Sequence, residues 1–451
     1  MDVKGYRKLT GIVLACLIVI FSCTPQMRYF YSLPTYQKIT VGDYLDLSFE
    51  KAQISKTIQN TLKLNIDGEK QNILRVDKSK INALVAAKPG VANLQLKLFG
   101  FIPLKTMQVE VVPSVKLVPG GHSVGVMLHS EGVLVVGQSI VEDAEGNKSN
   151  PAKEAGIEVG DIILKINDKT VVNDEQVARL VNDYGKTKKP LKVLIKHNKR
   201  IEVKYVKPVL CKETSRYRIG LYIRDTAAGV GTITFYDPKT GRYGALGHII
   251  TDVDTKKPID IANGKVVRAG IQGIQPGRCG QPGEKIGMFI EDKDFEGNIK
   301  KNCRFGIFGI LKKPLQNPIY PELPVAYSDQ INTGPAEILT VLDGEKINKY
   351  KIEIEKILPE QRSSGKGMVI HITDPRLLRR TGGIIQGMSG SPIIQNGRII
   401  GAVTHVFIND PAKGYGCLIE WMLDECNSFN PKIGWRAKSS PPLCFFSTCL
   451  L

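Results

Sequence analysis

Hydrophobic and polar residues alternate with a period of two along most of this chain, which is the spacing of half-buried strands. Such runs occupy residues 44–49, 61–66, 93–98 and 107–112, with turn punctuation at Val41-Gly42-Asp43 and Pro89-Gly90-Val91. They predict a small β-rich accessory domain over residues 26–113, a spacer without chemistry of its own. Residues 191–203 alternate Leu191, Val193, Ile195, Ile201 and Val203 with lysines, predicting strands with a solvated basic face. Helical spacing interrupts the pattern at residues 174–184, where Val177, Leu180 and Val181 fall on one side. From 209 to 425 the chain is again β-like and rich in glycine. The expected fold class is therefore mainly β.

The N-terminus departs from this pattern. Lys4, Arg7 and Lys8 precede an apolar stretch from Leu9 to Phe21, too short for an ordinary membrane span and flanked like an export signal. Without a small-residue cleavage site after it, residues 1–25 read as a signal anchor tethering an exported protein to a membrane. The formal net charge of +18 comes partly from the basic strands, which carry no nucleic-acid motif and few aromatics, so nucleic acid is not an expected partner. The nine cysteines include no Cys-x-x-Cys pair, and neither a disulfide framework nor a zinc site is expected, nor any other metal or cofactor. The tail at 437–451 differs in composition from what precedes it and reads as disordered.

Within residues 114–208 the run Asn150-Pro151-Ala152-Lys153-Glu154-Ala155-Gly156-Ile157, continuing through Gly160-Asp161-Ile162-Ile163-Leu164-Lys165-Ile166-Asn167, resembles a PDZ domain. The resemblance implies an α+β module in which the helix at 174–184 flanks a peptide groove. It makes Ser123, Val124, Gly125 and Val126 the loop and strand that capture peptide C-termini or internal segments by strand addition.

The chemistry concentrates further on. In Gln386-Gly387-Met388-Ser389-Gly390-Ser391-Pro392 a serine sits in a tight turn of small residues ahead of an apolar strand. Such a turn lets the N–H groups of Gly387 and Ser389 converge on an oxyanion, with Ser389 as nucleophile if a histidine is in reach. Of the chain's six histidines, His248 follows Gly244-Ala245-Leu246-Gly247, which lets its ring reach out from a strand end. His371 and His405 lie inside alternating runs. The group that orients the imidazole stays open among Asp252, Asp254, Asp260 and Asp374 on these grounds.

Anchor, spacer, PDZ-like segment, Gly-Ala-Leu-Gly-His248 and Gly-Met-Ser389-Gly-Ser-Pro together resemble the stage IV sporulation protein B peptidases of endospore-forming bacteria. That resemblance implies a chymotrypsin-like double β-barrel over residues 209–436 and a triad of His248, Asp374 and Ser389. It further implies self-processing in trans and cleavage of a membrane-bound regulator of an intramembrane protease that activates a late mother-cell sigma factor. The site of action would be the space between forespore and mother cell. Ser391, where trypsin-like enzymes carry glycine, is a departure. The other readings are a catalytically silent, membrane-tethered PDZ adaptor and an envelope quality-control protease.

Overall fold

The computed structural model describes residues 33–45, 62–66, 73–77 and 83–428, except 199, 260 and 291–295, with a few positions before residue 33. The expected signal anchor lies almost wholly outside the described residues, as do Asp260 and the tail from 437. Among the described residues no helix is long and apolar enough to cross a membrane.

The chain divides into two units. The first takes in the chain up to Val115 together with Ala326–Gln330. In it, a four-stranded sheet joins Tyr36–Thr40, Ile102–Val112, Gly90–Leu98 and Leu62–Ile66 in that order. A three-stranded sheet of Tyr44–Leu45, Ala83–Ala86 and Leu74–Asp77 accompanies it. The alternation read in the sequence places Leu94, Leu96, Val109 and Val111 in one apolar core.

The second unit runs from β1 (Ser123–Gln138) through β2 (Ile162–Ile166) and helix α1 (Asp174–Gly185) to the hairpin β3 (Leu191–His197) and β4 (Arg200–Val206). β5 (Leu221–Tyr236), β6 (Arg242–Ala245), β7 (Ile261–Gln275), β8 (Glu284–Ile290), β9 (Glu296–Cys303) and β10 (Gly306–Leu311) follow. The closing portion holds β11 (Gly334–Val341), β12 (Ile347–Ile357), β13 (Met368–Ile372), helix α2 (Pro375–Thr381), β14 (Pro392–Gln395), β15 (Arg398–Phe407), β16 (Asp410–Leu418) and helix α3 (Ile419–Ser428).

Two closed barrels result. In the first, the order β1-β7-β9-β10-β6-β5 closes by pairing of β5 with β1. In the second, β11-β12-β13-β16-β15-β14 closes on itself. Closure leaves no free strand edge within either ring. Val124, Val126, Leu128, Ile233 and Tyr243 fill the first barrel.

The boundaries expected from sequence need correction here. β1 and β5 are each long enough to serve two bodies. Residues 123–130 of β1 pair with β5 and β7 inside the first barrel, whereas residues 133–138 pair with β2 and with the opening of β5. The PDZ-like body, β2 to β4 with α1, is thus inserted between two strands of the first barrel. It does not precede the peptidase region as a separate segment at 114–208. Its core gathers Val133, Ile163, Val177, Val181, Val193 and Ile195. The basic strands also differ in part from expectation. The β3–β4 register sets Val203 opposite Leu194 and Ile201 opposite Lys196, so Ile201 and Val203 face solvent while Val193 and Ile195 are buried.

Candidate active site

His248 stands where β6 leaves the first barrel. Leu246 and Gly247 both adopt left-handed backbone (φ 69° and 72°), turning the chain sharply after Ala245. A Cβ on Gly247 would stand 2.7 Å from the Thr404 methyl, so glycine is needed for space as well as for φ. Asn302 on β9 locks the segment that follows. Its Oδ1 accepts from the Ile250 N–H at 2.8 Å, and its Nδ2 donates to the Ile250 carbonyl at 2.9 Å. His248 Nδ1 lies 2.9 Å from the Ile249 carbonyl, which makes Nδ1 the protonated nitrogen and leaves Nε2 free of a proton. Among the described residues that carbonyl is its sole hydrogen-bond partner. Burial lowers the His248 pKa, so the imidazole is neutral near pH 7.

Ser389 lies in the loop between α2 and β14, and the first barrel holds that loop in place. Thr232 of β5 donates its N–H to the Ser389 carbonyl at 3.0 Å and its hydroxyl to the Gly387 carbonyl at 2.8 Å. Thr234 donates its hydroxyl to the Gly390 carbonyl at 2.8 Å. A Cβ on Gly390 would fall 2.0 Å from the Thr232 carbonyl oxygen, which is why this turn needs glycine. From the other side, Lys285 N–H donates to the Gln386 carbonyl at 3.0 Å, and Gln386 N–H to the Gly283 carbonyl at 2.8 Å. The glycine-rich stretch at 270–287 is thus the β7–β8 hairpin, and its return strand supports the serine loop. Among the described residues the N–H groups of Gly387 and Ser389 donate to no protein acceptor. Both are open to an incoming acceptor. Ser389 Oγ donates to the Thr404 carbonyl at 2.9 Å.

His248, Ser389 and Gly387 line one cleft of about 450 Å³. Val126, Val230, Ile250, Ile384, Ile385 and Val406 give its wall an apolar part, and among the described residues no charged side chain lines it. His405, which the sequence placed inside an ordinary β run, also faces this cleft, its ring centroid 5.3 Å from that of His248. Burial, then the neighbouring His248 and Lys366, push the His405 pKa down to about 4. His371 is elsewhere, paired with Glu355 at 3.5 Å.

Two sets of expected site residues are placed differently from expectation. Among the described residues no hydrogen bond joins Asp374 to His248. Asp374 caps α2, accepting from Arg376 N at 2.9 Å, from Arg376 Nη2 at 2.8 Å and from Lys351 N at 3.2 Å. The Arg376 guanidinium holds its carboxyl well below the usual carboxylate range. The alternatives are also committed: Asp252 accepts from Thr255 N and Arg224 Nη1, and Asp254 pairs with the same Arg224. Ser123, Val124, Gly125 and Val126 do not belong to the PDZ groove, because they are first-barrel residues paired with residues 229–232 of β5. Val126 lines the cleft of Ser389 instead. The groove beside α1 is walled by residues 216–221 and Ile223. Sequence reasoning missed Thr232, Thr234, Lys285 and Asn302. The first two left a trace as polar residues alternating within the apolar closing part of β5, residues 227–236.

Residues 215–423 match the family described as SpoIVB peptidase S55, and residues 144–195 match a PDZ domain. No curated protein matches the chain. Among solved structures, the chain is similar to a Mycobacterium tuberculosis protease in its active form (15% identity, 45% of this chain and 74% of that one, TM-score 0.27). It is also similar to a thermostable serine protease from an extremophilic microorganism (12% identity, 46% and 92%, TM-score 0.29). A further likeness is to the PDZ domain of an SdrC-like protein from Listeria monocytogenes (20% identity, 21% and 87%, TM-score 0.17). By these matches the chain resembles the SpoIVB S55 serine peptidases over residues 215–423 and a PDZ domain over residues 144–195.

Proposed function

We propose that this chain is a serine endopeptidase in which Ser389 is the nucleophile and His248 the general base. The observation that supports this most is the meeting of His248, Ser389 and two unspent N–H donors, Gly387 and Ser389, in a single cleft built from both barrels. In the reaction Ser389 Oγ leaves the Thr404 carbonyl, gives its proton to His248 Nε2 and attacks the scissile carbonyl. The oxyanion is held by the Gly387 and Ser389 N–H groups, and the imidazolium then protonates the leaving amine. Water repeats the sequence to release the acyl group. The Ile249 carbonyl fixes the histidine tautomer, a part that a carboxylate plays in the usual triad.

The resemblance to stage IV sporulation protein B peptidases supports a finer reading. The chain is exported, tethered by its N-terminal segment, processes itself in trans, and cleaves a membrane-bound regulator as a signal between forespore and mother cell. A fluorophosphonate probe on the purified chain, followed by peptide mapping, should place the label on Ser389 and lose it in Ser389→Ala. Ser389→Ala should also cut hydrolysis by roughly 10⁶. An unlabelled Ser389 in folded protein would favour the silent-adaptor reading instead.

A further inference from the structure

In the first unit, strands Gly90–Leu98 and Ile102–Val112 form a hairpin joined by Phe99-Gly100-Phe101. The base of the hairpin belongs to the core, where Leu94, Leu96, Met107 and Val109 are buried. Its tip does not. Strand Tyr36–Thr40 pairs only with Gln108–Val112, so among the described residues the stretch 102–107 carries no strand on that edge. Beyond it, Phe99 and Phe101 are 55% and 72% exposed. Their rings stack on each other, with centroids 6.2 Å apart and planes 27° apart, and so present one apolar knob to solvent.

Folding alone does not account for this knob. Phe99 is left-handed (φ 54°), a turn position that glycine, asparagine and aspartate fill at lower cost and without a ring in water. The surroundings of the tip are basic. Lys97 precedes it, Lys105 follows it, and Lys63 stands opposite Lys97 in the neighbouring strand. Residues 90–109 contain neither Asp nor Glu. Exposed aromatic rings between lysines match a bilayer with anionic headgroups. The rings gain by leaving water for the acyl boundary, and lysine side chains are long enough to keep their ammonium groups among the headgroups.

We propose that this hairpin tip docks on an anionic lipid surface, with Phe99 and Phe101 entering the acyl boundary and Lys97 and Lys105 meeting headgroup phosphates. Two rings bury little area, so the docking is weak and reversible by itself. It is separate from the tethering proposed for the N-terminal segment, and it does not involve Ser389.

The test places a reporter in the tip, Phe99→Trp in the full chain, and reads its emission as the difference from the parent, whose tryptophans are Trp421 and Trp435. A local reporter separates docking of the tip from any binding through the N-terminal segment. Vesicles of phosphatidylcholine mixed with phosphatidylglycerol should shift the emission to the blue, and acyl-brominated lipid should quench it. Phosphatidylcholine alone should give a far weaker response. Lys97→Gln combined with Lys105→Gln should raise the lipid concentration at half response roughly 25-fold, from a factor of about five per lysine near such a surface. Phe101→Asp in the reporter background should abolish the shift and keep the parental circular dichroism. In folded protein, an unshifted or unquenched reporter overturns the proposal, and an equal response to phosphatidylcholine alone overturns its anionic character. Blue emission without vesicles would also overturn it, since the rings would then be covered by protein, by a second copy if the emission follows chain concentration.

Discussion

Two side chains at the residue scale have roles that their place in the sequence does not reveal. Asp374 sits where the family resemblance puts a catalytic acid, yet its oxygens are taken up by Arg376 and Lys351. Asp374→Asn should therefore cost about 1–2 kcal/mol of stability through the lost cap and ion pair. In folded protein it should leave the acid limb of the kcat/KM profile in place, below the ordinary histidine value, since burial sets that limb through His248. A 10⁴-fold fall in kcat for folded Asp374→Asn would put this carboxylate back behind the imidazole. Lys285 is buried beneath Gly387, donates to Thr340 Oγ1 at 2.8 Å, and is pushed down by burial to about 7. Between that value and the ordinary lysine value the unfolded chain binds the extra proton, so stability rises with pH across the window. The contribution between pH 7 and 9.5 is on the order of 3 kcal/mol. Denaturation midpoints at the two pH values should show the rise in the parent and a flatter response in Lys285→Met. An undiminished rise in Lys285→Met would assign it to other groups.

At the element scale, the cleft depends on how strands present loops. β9 carries Asn302, whose side chain makes the hydrogen bonds that a further backbone strand would otherwise make to Ile250. Asn302→Leu would leave the Ile250 N–H without its acceptor, at about 1–3 kcal/mol, while the carbonyl keeps the Ile259 N–H at 3.3 Å. With the histidine turn loosened, kcat should fall more than KM rises, because the turn positions the base and does not hold substrate. A KM effect alone, in steady-state hydrolysis by folded protein, would show that the turn binds substrate.

For the whole molecule, the inserted PDZ body changes what counts as a domain. A fragment beginning near residue 209 lacks β1, one of the six strands of the first barrel. It would expose unpaired edges on both β5 and β7, so it should be insoluble or molten by near-UV circular dichroism and carry no fluorophosphonate-reactive serine. A chain that keeps residues 116–130 and joins them to β5 by a short turn in place of 131–223 should fold and label at Ser389. If the 209 fragment labels at the parental rate, β1 is dispensable and the insertion has no structural meaning.

Much of this was legible in the chain because it is local. The period-two alternation, the glycines at forced turns and the helical spacing at 174–184 are properties of neighbouring residues, and they yielded a mainly β protein with a PDZ-like segment. Gly-Met-Ser389-Gly and Leu-Gly-His248 were readable for the same reason, since each turn is dictated by its own small residues. Which carboxylate, if any, supports His248 was not readable, because an aspartate before Pro375 looks the same whether it caps a helix or faces a histidine. Arg376 and Lys351 decide it. Nor could the sequence say that Val126 lines the cleft of Ser389, that His405 stands beside His248, or that one strand serves both groove and serine loop. Those facts depend on pairings between strands some hundred residues apart, as with Val126 and Gly229. Alternation specifies which face of a strand is buried, but leaves its neighbours to the closure of the barrels.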